Sequence, residues 1–262
     1  MKATVFLGGG RITSALIAGL RLAKDRRRIV VYDRHSHKLR PLQQLYGTTP
    51  ERDLQRAVDQ AQLLVVAVRP NSVGALLRDI GKIRRRLVAV SLAAGVPFAN
   101  LRAGLGLPVR WARAMPSPLF RSGLGLTALA FDHRFPASSK SEVRNFFARA
   151  GQIIELPESQ FDAFTVTYSC SHGYHAVAAL AGAAENLGLD RKTALIASAH
   201  ALADGILAWR KGSSSLDSLM IEAATPGGIA AAVMESADRA GYKRAVEKAL
   251  SAGMRRAHRN AK

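Results

Sequence analysis

Three consecutive glycines, Gly8-Gly9-Gly10, separate a short apolar run (Thr4–Leu7) from a stretch with apolar residues at helical spacing (Ile12–Leu22). No other feature constrains the fold as much. A strand that passes through a glycine turn into a helix opens a βαβ unit, because a parallel neighbour strand can be reached only by a crossover. The chain then keeps alternating. Arg28–Tyr32 is β-rich, Leu39–Tyr46 reads helical, Leu63–Val68 is a continuous apolar run, Val73–Ile80 is helical and Leu87–Leu92 is again continuous. Strands without polar alternation have no solvated face, so these runs predict a parallel sheet covered by helices on both sides. Val109–Ala114 and Leu126–Phe131 read as two later strands, and Lys140–Ala150 as a helix before the segment 151–156.

From about Pro157 the pattern changes, and no β-branched runs remain. Phe161–Leu187 is alanine-rich and reads as one long helix, with a possible break near Gly173. Gly188 is a helix stop, and Asp190 an N-cap for a helix over Arg191–Trp209. Ser215–Ala224, Gly228–Ser236 and Tyr242–Arg256 read as further helices. The expected fold class is therefore α/β: a Rossmann-type dinucleotide-binding domain over 1–156, then an all-helical substrate and dimerisation domain over 157–262. Wide apolar helix faces call for a partner surface, so a homodimer or higher homo-oligomer is expected.

The glycine turn carries the first chemistry. Gly8-Gly9-Gly10-Arg11-Ile12-Thr13 has the form Gly-x-Gly-x-x-Thr, with Thr13 where the dinucleotide motif has glycine or alanine. Gly8 makes the tight turn. Gly10 lets the backbone approach a pyrophosphate, which sits on the helix N-terminus beside Arg11 and Ile12, where free N–H groups and the helix dipole favour anions. The second strand ends at Tyr32-Asp33, followed by Arg34-His35-Ser36-His37-Lys38. An acidic residue there commonly bonds the ribose 2′-OH of NAD, whereas an adjacent arginine accommodates the 2′-phosphate of NADP. Arg34 with its cationic neighbours favours NADP(H) over NAD(H); Asp33 argues the other way.

The chain has 38 Lys+Arg against 19 Asp+Glu, a net charge of +19. Residues 1–155 hold 26 basic and 9 acidic side chains, so nearly all of the excess lies there, in runs such as Arg26-Arg27-Arg28 and Arg84-Arg85-Arg86. No aromatics interleave with these runs, so they read as a solvated basic face rather than a nucleic-acid interface. A hydrophobic fraction of 48% excludes a disordered chain, and no apolar stretch is long enough to span a bilayer. The brief apolar run before Gly8 is too short for a signal-peptide core, so the expected location is cytoplasmic. The single cysteine, Cys170, excludes an internal disulfide and a multi-cysteine zinc site; no metal is expected.

Several segments together resemble the pyrroline-5-carboxylate reductases. Val5–Ile12 is similar to that family's opening, normally written Gly-x-Gly-Asn-Met-Ala. Leu63–Pro70, ending Ala67-Val68-Arg69-Pro70, resembles its strand ending Ala-Val-Lys-Pro. Val90–Val96, including Ala93, is similar to its Val-Ser-Ile-Ala-Ala-Gly-Val segment. Arg113-Ala114-Met115-Pro116-Ser117-Pro118 resembles Arg-x-Met-Pro-Asn-x-Pro, and Thr225-Pro226-Gly227-Gly228 its Ser-Pro-Gly-Gly turn. The likeness runs in order along nearly the whole chain.

The resemblance implies a Rossmann domain, a helical dimerisation domain and an active site between them that includes helices of the partner subunit. The implied reaction is reduction of 1-pyrroline-5-carboxylate to L-proline by NAD(P)H, a step of proline biosynthesis. It also implies cofactor contacts at Val68, Arg69, Pro70 and Ala93, and substrate contacts at Met115, Pro116, Ser117, Gly227 and Gly228, with Thr225 as the retained hydroxyl. Such a site has little covalent chemistry to do: it orients the nicotinamide, holds a carboxylate and keeps the imine nitrogen protonated.

The departures fall in the helical part. Where the family carries Ser-Gly-Ser-Gly-Pro-Ala, this chain reads Thr167-Tyr168-Ser169-Cys170-Ser171-His172-Gly173-Tyr174-His175, over a shorter spacing. The positions after Pro-Gly-Gly, threonines in the family, are Ile229 and Ala230. His172, Tyr174 or His175 could supply the proton instead. The alternatives are a reductase acting on another imine or keto acid, or a catalytically weak nucleotide-binding homologue. A hydroxyacid dehydrogenase would keep a lysine base in the long helix, and Phe161–Leu187 contains no lysine.

Overall fold

The computed structural model describes residues 3–261; Met1, Lys2 and Lys262, at the outer ends of the two expected domains, lie outside the described residues. Strands and helices alternate from the start: β1 (Ala3–Leu7), α1 (Arg11–Leu22), β2 (Ile29–Tyr32), α2 (Leu39–Tyr46), β3 (Thr49–Glu51), α3 (Leu54–Gln60), β4 (Ala61–Val66), α4 (Pro70–Ile80), β5 (Leu87–Ser91) and α5 (Phe98–Leu105). β6 (Val109–Pro116), β7 (Gly125–Phe131), α6 (Ala137–Ala148) and β8 (Gly151–Glu155) complete a sheet of order β3-β2-β1-β4-β5-β6-β7-β8. β1 pairs in parallel with both β2 and β4, so the winding reverses there.

Both faces of the sheet are covered, as the continuous apolar runs predict. Val5 and Leu7 pack with Val30, Leu64 and Val66 in one core, while Phe6 packs with Ile29, Val31, Leu63 and Val65 in the other. The sheet is not wholly parallel: β6 and β7 run antiparallel. The short link between them, residues 117–124, leaves no room for the dozen or so residues of a parallel crossover.

Compactness divides the chain into two units, one comprising the residues up to Thr167 together with those from Gly253 onward, the other Tyr168–Ala252. This division differs from the compositional boundary at 156/157, and α7 (Glu158–Thr167) shows why. Phe161 is buried in the α/β core. Arg113 of β6, 1% exposed, is ion-paired to Glu158 and Asp162 and lies over the Phe161 ring. The chain end returns to the same unit through the last turns of α12 (Tyr242–Asn260). A Cβ on Gly95 would stand 2.4 Å from the Ala257 carbonyl oxygen, so only glycine admits that approach. Asn260 Nδ2 donates to the Ala94 carbonyl at 3.1 Å and Asn100 Nδ2 to that of Ala261 at 2.6 Å.

The second unit contains α8 (Cys170–Asn186), α9 (Arg191–Lys211), α10 (Leu216–Ala223), α11 (Ile229–Arg239) and the first part of α12. The single helix expected over Phe161–Leu187 is two. Tyr168 and Ser169 interrupt it: Ser169 is extended (φ −133°, ψ 126°), and its Oγ accepts from the Ser171 amide to cap α8. A serine side chain that satisfies an amide of the new first turn replaces the continuing helix at small cost. Asp190 caps α9 as expected, accepting from the Lys192 and Thr193 amides at 3.0 and 3.1 Å. Among the described residues, no helix is long and apolar enough to cross a membrane.

Candidate functional site

The glycine turn lies at the carboxyl end of β1, beside β4, at the point where the strand order reverses. In open α/β sheets this is where ligands bind. Gly8 has φ +113°, and a Cβ on it would stand 2.7 Å from the Ala67 carbonyl oxygen, so glycine is required on both counts. The turn is stitched to its neighbours by Gly8 N–H donating to the Tyr32 carbonyl at 2.7 Å and Ala67 N–H to that of Leu7 at 2.9 Å. Gly10 is different: its backbone is extended (φ −82°, ψ −174°), and nothing stands within 4 Å of where a Cβ would be. No side chain caps α1. An open approach to an uncapped helix N-terminus fits a dinucleotide pyrophosphate. Arg11, the first residue of α1, is exposed and Ile12 partly buried.

Thr13 explains the departure from the usual motif. It is fully buried, and its hydroxyl donates to the Gly8 carbonyl at 2.6 Å. A hydroxyl that satisfies a turn carbonyl compensates for the closer helix–strand packing a glycine would give there.

Asp33 turns towards the glycine turn. Its Oδ2 accepts from the Gly9 amide and its Oδ1 from the His35 amide, both at 2.8 Å, and Lys38 Nζ lies 3.3 Å from both oxygens. Burial raises the pKa of this carboxyl, but the His35 and Gly9 amides and Lys38 outweigh it, and the group is held below the ordinary aspartate value. Lys38, one of the cationic neighbours of Arg34 in the sequence, is thus the counter-ion of Asp33. Arg34, His35 and His37 are exposed around it.

The other residues expected at the cofactor lie along the same sheet edge. Val68-Arg69-Pro70 leads from β4 into α4, with Arg69 as N-cap and Pro70 as the first helical residue. Ala93, after β5, is buried, and its amide donates to Ser91 Oγ at 3.3 Å. Met115 and Pro116 end β6 at that edge too. Ser117 is 3% exposed, and its Oγ accepts from the Leu119 amide at 3.1 Å, capping a short 3-10 segment.

In the helical unit, Thr225-Pro226-Gly227-Gly228 forms a tight turn into α11. Gly227 has φ +75°, and Gly228 N–H donates to the Thr225 carbonyl at 2.9 Å. The Thr225 hydroxyl lies only 2.6 Å from where a Cβ on Gly228 would stand. Gly228 caps α11 without any side-chain hydrogen bond, and Ile229, next in the chain, is 88% exposed. His172, Tyr174 and His175 are exposed in the first turns of α8. Among the described residues, no group of three or more His, Cys, Asp or Glu side chains is placed to hold a metal ion.

Comparison with known proteins agrees with this layout. Residues 4–95 match the family described as NADP oxidoreductase, coenzyme F420-dependent, and residues 158–260 match pyrroline-5-carboxylate reductase dimerisation. The chain is 31% identical to the pyrroline-5-carboxylate reductase of Thermus thermophilus, over 97% of this chain and 96% of that protein. It is 29% identical to that of Mycobacterium tuberculosis, over 98% and 96% respectively. Its fold matches the crystal structure of the Plasmodium falciparum pyrroline carboxylate reductase with NADP bound at a TM-score of 0.85, with 20% identity over 100% of this chain and 98% of that one.

Proposed function

Because this chain belongs to the pyrroline-5-carboxylate reductase family, we propose that it reduces 1-pyrroline-5-carboxylate to L-proline, with a nicotinamide dinucleotide as reductant. The observation that carries this reading is the open, uncapped helix N-terminus after Gly10, at the reversal point of the sheet. A bound nicotinamide supplies the hydride for the C=N carbon. The chain's own residues bind and orient. The first-turn amides of α1 hold the pyrophosphate, and the loops at Val68-Arg69-Pro70 and Ala93 shape the ground beside it. NADP(H) is the proposed form. The Asp33 carboxylate is engaged by two amides and Lys38, which leaves Arg34, His35 and His37 exposed to take a 2′-phosphate.

Residues 1–156 are assigned to the dinucleotide and 157–262 to substrate and dimerisation, with Met115, Pro116 and Ser117 adding substrate contacts from the first domain. The amides after Gly227-Gly228 suit the substrate carboxylate, and Thr225 offers the hydroxyl beside them. Tyr174 and His172 are the candidates for keeping the imine nitrogen protonated. A homodimer in the cytoplasm is the proposed working state.

A second reading has its own observation. Ile229 presents an exposed apolar side chain where a carboxylate would approach α11, which favours a less polar cyclic imine or keto acid as substrate. One experiment separates the two. Enzyme, 1-pyrroline-5-carboxylate and NADPH carrying deuterium at the transferable position should give proline with one deuterium on the former C=N carbon. Absent proline, with turnover of another cyclic imine or a keto acid, selects the second reading.

A further inference from the structure

The same α/β unit carries a second constellation at the opposite edge of its sheet. A cleft of about 460 Å³ opens where β4 and β5 begin, bordered by Arg110 near the start of β6 and by the first residues of α6. β4 has six residues, so this edge lies about 17 Å from the glycine-turn edge at about 3.3 Å per residue. Arg85, Arg86, Arg110 and Arg134 line the cleft. Arg85 donates to the Val58 carbonyl at 2.7 Å, Arg110 to that of Leu107 at 3.1 Å, and Arg134 to His133 Nε2 at 3.2 Å. None of these acceptors is charged. Among the described residues, none of the four guanidiniums has a carboxylate partner, whereas Arg27, Arg102 and Arg113 of the same unit are each ion-paired.

The one acid of the cleft, Glu142, accepts from Gln62 Nε2 at 3.3 Å. Four guanidiniums against one carboxylate repel each other until an anion joins them. Other donors converge on the same space. Ser138 and Ser139 line the cleft, and α6 begins there after Pro136 with no side-chain cap. Guanidinium forks match phosphate oxygens two at a time, and the volume suits a small molecule. No aromatic ring lines the cleft, so there is no platform on which a nucleic-acid base could stack.

We propose that this cleft binds a small oligophosphate, either an inorganic chain or the phosphate tail of a nucleotide, independently of the dinucleotide turn. Part of the basic excess of residues 1–155 then has a ligand, where sequence alone reads a solvated face.

The test uses the full chain, with and without saturating NADPH. Tripolyphosphate, pyrophosphate and a nucleoside triphosphate are titrated by calorimetry at about 0.1 M salt, where surface charge is already partly screened. The expected result is one tripolyphosphate per chain at saturating NADPH, and a site of the same affinity without NADPH, where the emptied glycine turn can take a second, separately resolved polyphosphate. The double substitution Arg110→Gln/Arg134→Gln should weaken it at least about tenfold, since each arginine loses a charge-assisted contact. Far-UV circular dichroism and NADPH affinity should not change, and Arg40→Gln, an exposed arginine on α2, should leave tripolyphosphate binding intact. Tighter binding of the triphosphate nucleotide than of tripolyphosphate would name a nucleotide as the source; equal binding would name the phosphate chain. Complete displacement by NADPH, affinity unmoved by the double substitution, or no tripolyphosphate binding would each overturn the proposal. So would an oligonucleotide that binds and is not displaced by tripolyphosphate. The titration without NADPH reads this site even if the dinucleotide site fails.

Discussion

The two units meet the requirement for burial in different ways. In the α/β unit nearly every residue of β1, β2 and β4 is buried, with one core on each face of the sheet. In the helical unit α8 buries only Ala181, α9 only Ala194 and Ser198, and α10 and α11 bury nothing. Trp209, Ile221 and Val233 remain exposed there. A sheet with helices on both sides closes its own core, while thin helices with wide apolar faces need further surface to close theirs. The first unit therefore owes its stability to its own contacts, and the second is expected to owe much of its own to a second copy of the chain.

That contrast can be broken most severely at Arg113. Its guanidinium is 1% exposed and joins β6 to α7. Arg113→Ala leaves the Asp162 carboxylate without its partner and Glu158 with only the Phe98 amide, and uncovers Phe161; it should cost about 3 kcal/mol in chemical denaturation. A loss below about 1 kcal/mol would show that α7 does not depend on this pair.

Gly10→Val sharpens the contrast between holding the fold and serving the site. The backbone there is extended and its surroundings are empty, so the unfolding midpoint should stay within a degree or so, while NADPH affinity falls at least about 100-fold, or ~2.7 kcal/mol. Unchanged affinity would remove the turn from the cofactor site.

In the helical unit the matching change is Val233→Glu on the exposed face of α11. Light scattering should show the assembly shifted to monomer by an association loss of about 2 kcal/mol, the burial value of one such side chain. Thermal unfolding of the α/β unit should not move. An oligomer unaffected by this charge places the interface on other helices.

The smallest effect belongs to Asp33. Its folded pKa lies below the ordinary value of 3.8, so its stabilisation is fully present above that pH and is lost as the pH falls through the folded value. Asp33→Asn should cost about 1 kcal/mol at pH 7 and flatten the acid limb of stability below pH 4, measured by urea unfolding across pH. An acid limb identical to wild type would mean that another carboxylate, such as Asp25 with its lowered pKa, carries it.

What was legible in the sequence follows the same division. The path from β1 through the glycines to α1, and the strands β4 and β5, announced themselves because each signal lies within a few residues: an apolar run, a turn residue, a helical period. β3 did not, being a three-residue edge strand of Thr49, Pro50 and Glu51 with no β-branched aliphatic or aromatic side chain and a proline at its centre. α3 and α5 are two turns each, too short for their periodicity to stand out. The break at Ser169 contains no glycine or proline and depends on a single capping hydroxyl. The return of α12 to Gly95 joins residues far apart in the chain through a backbone approach that no local pattern encodes.

The site divides likewise. Gly8 and Gly10 were readable from motif spacing, whereas their different duties, turn geometry for one and open access for the other, emerged only from what surrounds each. Asp33 was readable as a nucleotide-facing acid; that its oxygens are taken by Gly9, His35 and Lys38 depends on where the side chain points. A serine or threonine in the helical unit is legible as a residue, but its use depends on neighbours the helical period does not specify.

On the proposed function, the glycine turn of the α/β unit holds a nicotinamide dinucleotide for reduction of 1-pyrroline-5-carboxylate. Its most direct test is steady-state oxidation of NADPH, with NADH in parallel, by the wild-type chain and Gly10→Val. Turnover should run at ordinary enzymatic rates, roughly 1–1000 per second, faster with NADPH at limiting concentration, and should be abolished in the variant at the same cofactor level. Undiminished turnover by Gly10→Val, or NADPH binding without any reduction of pyrroline-5-carboxylate, would contradict it.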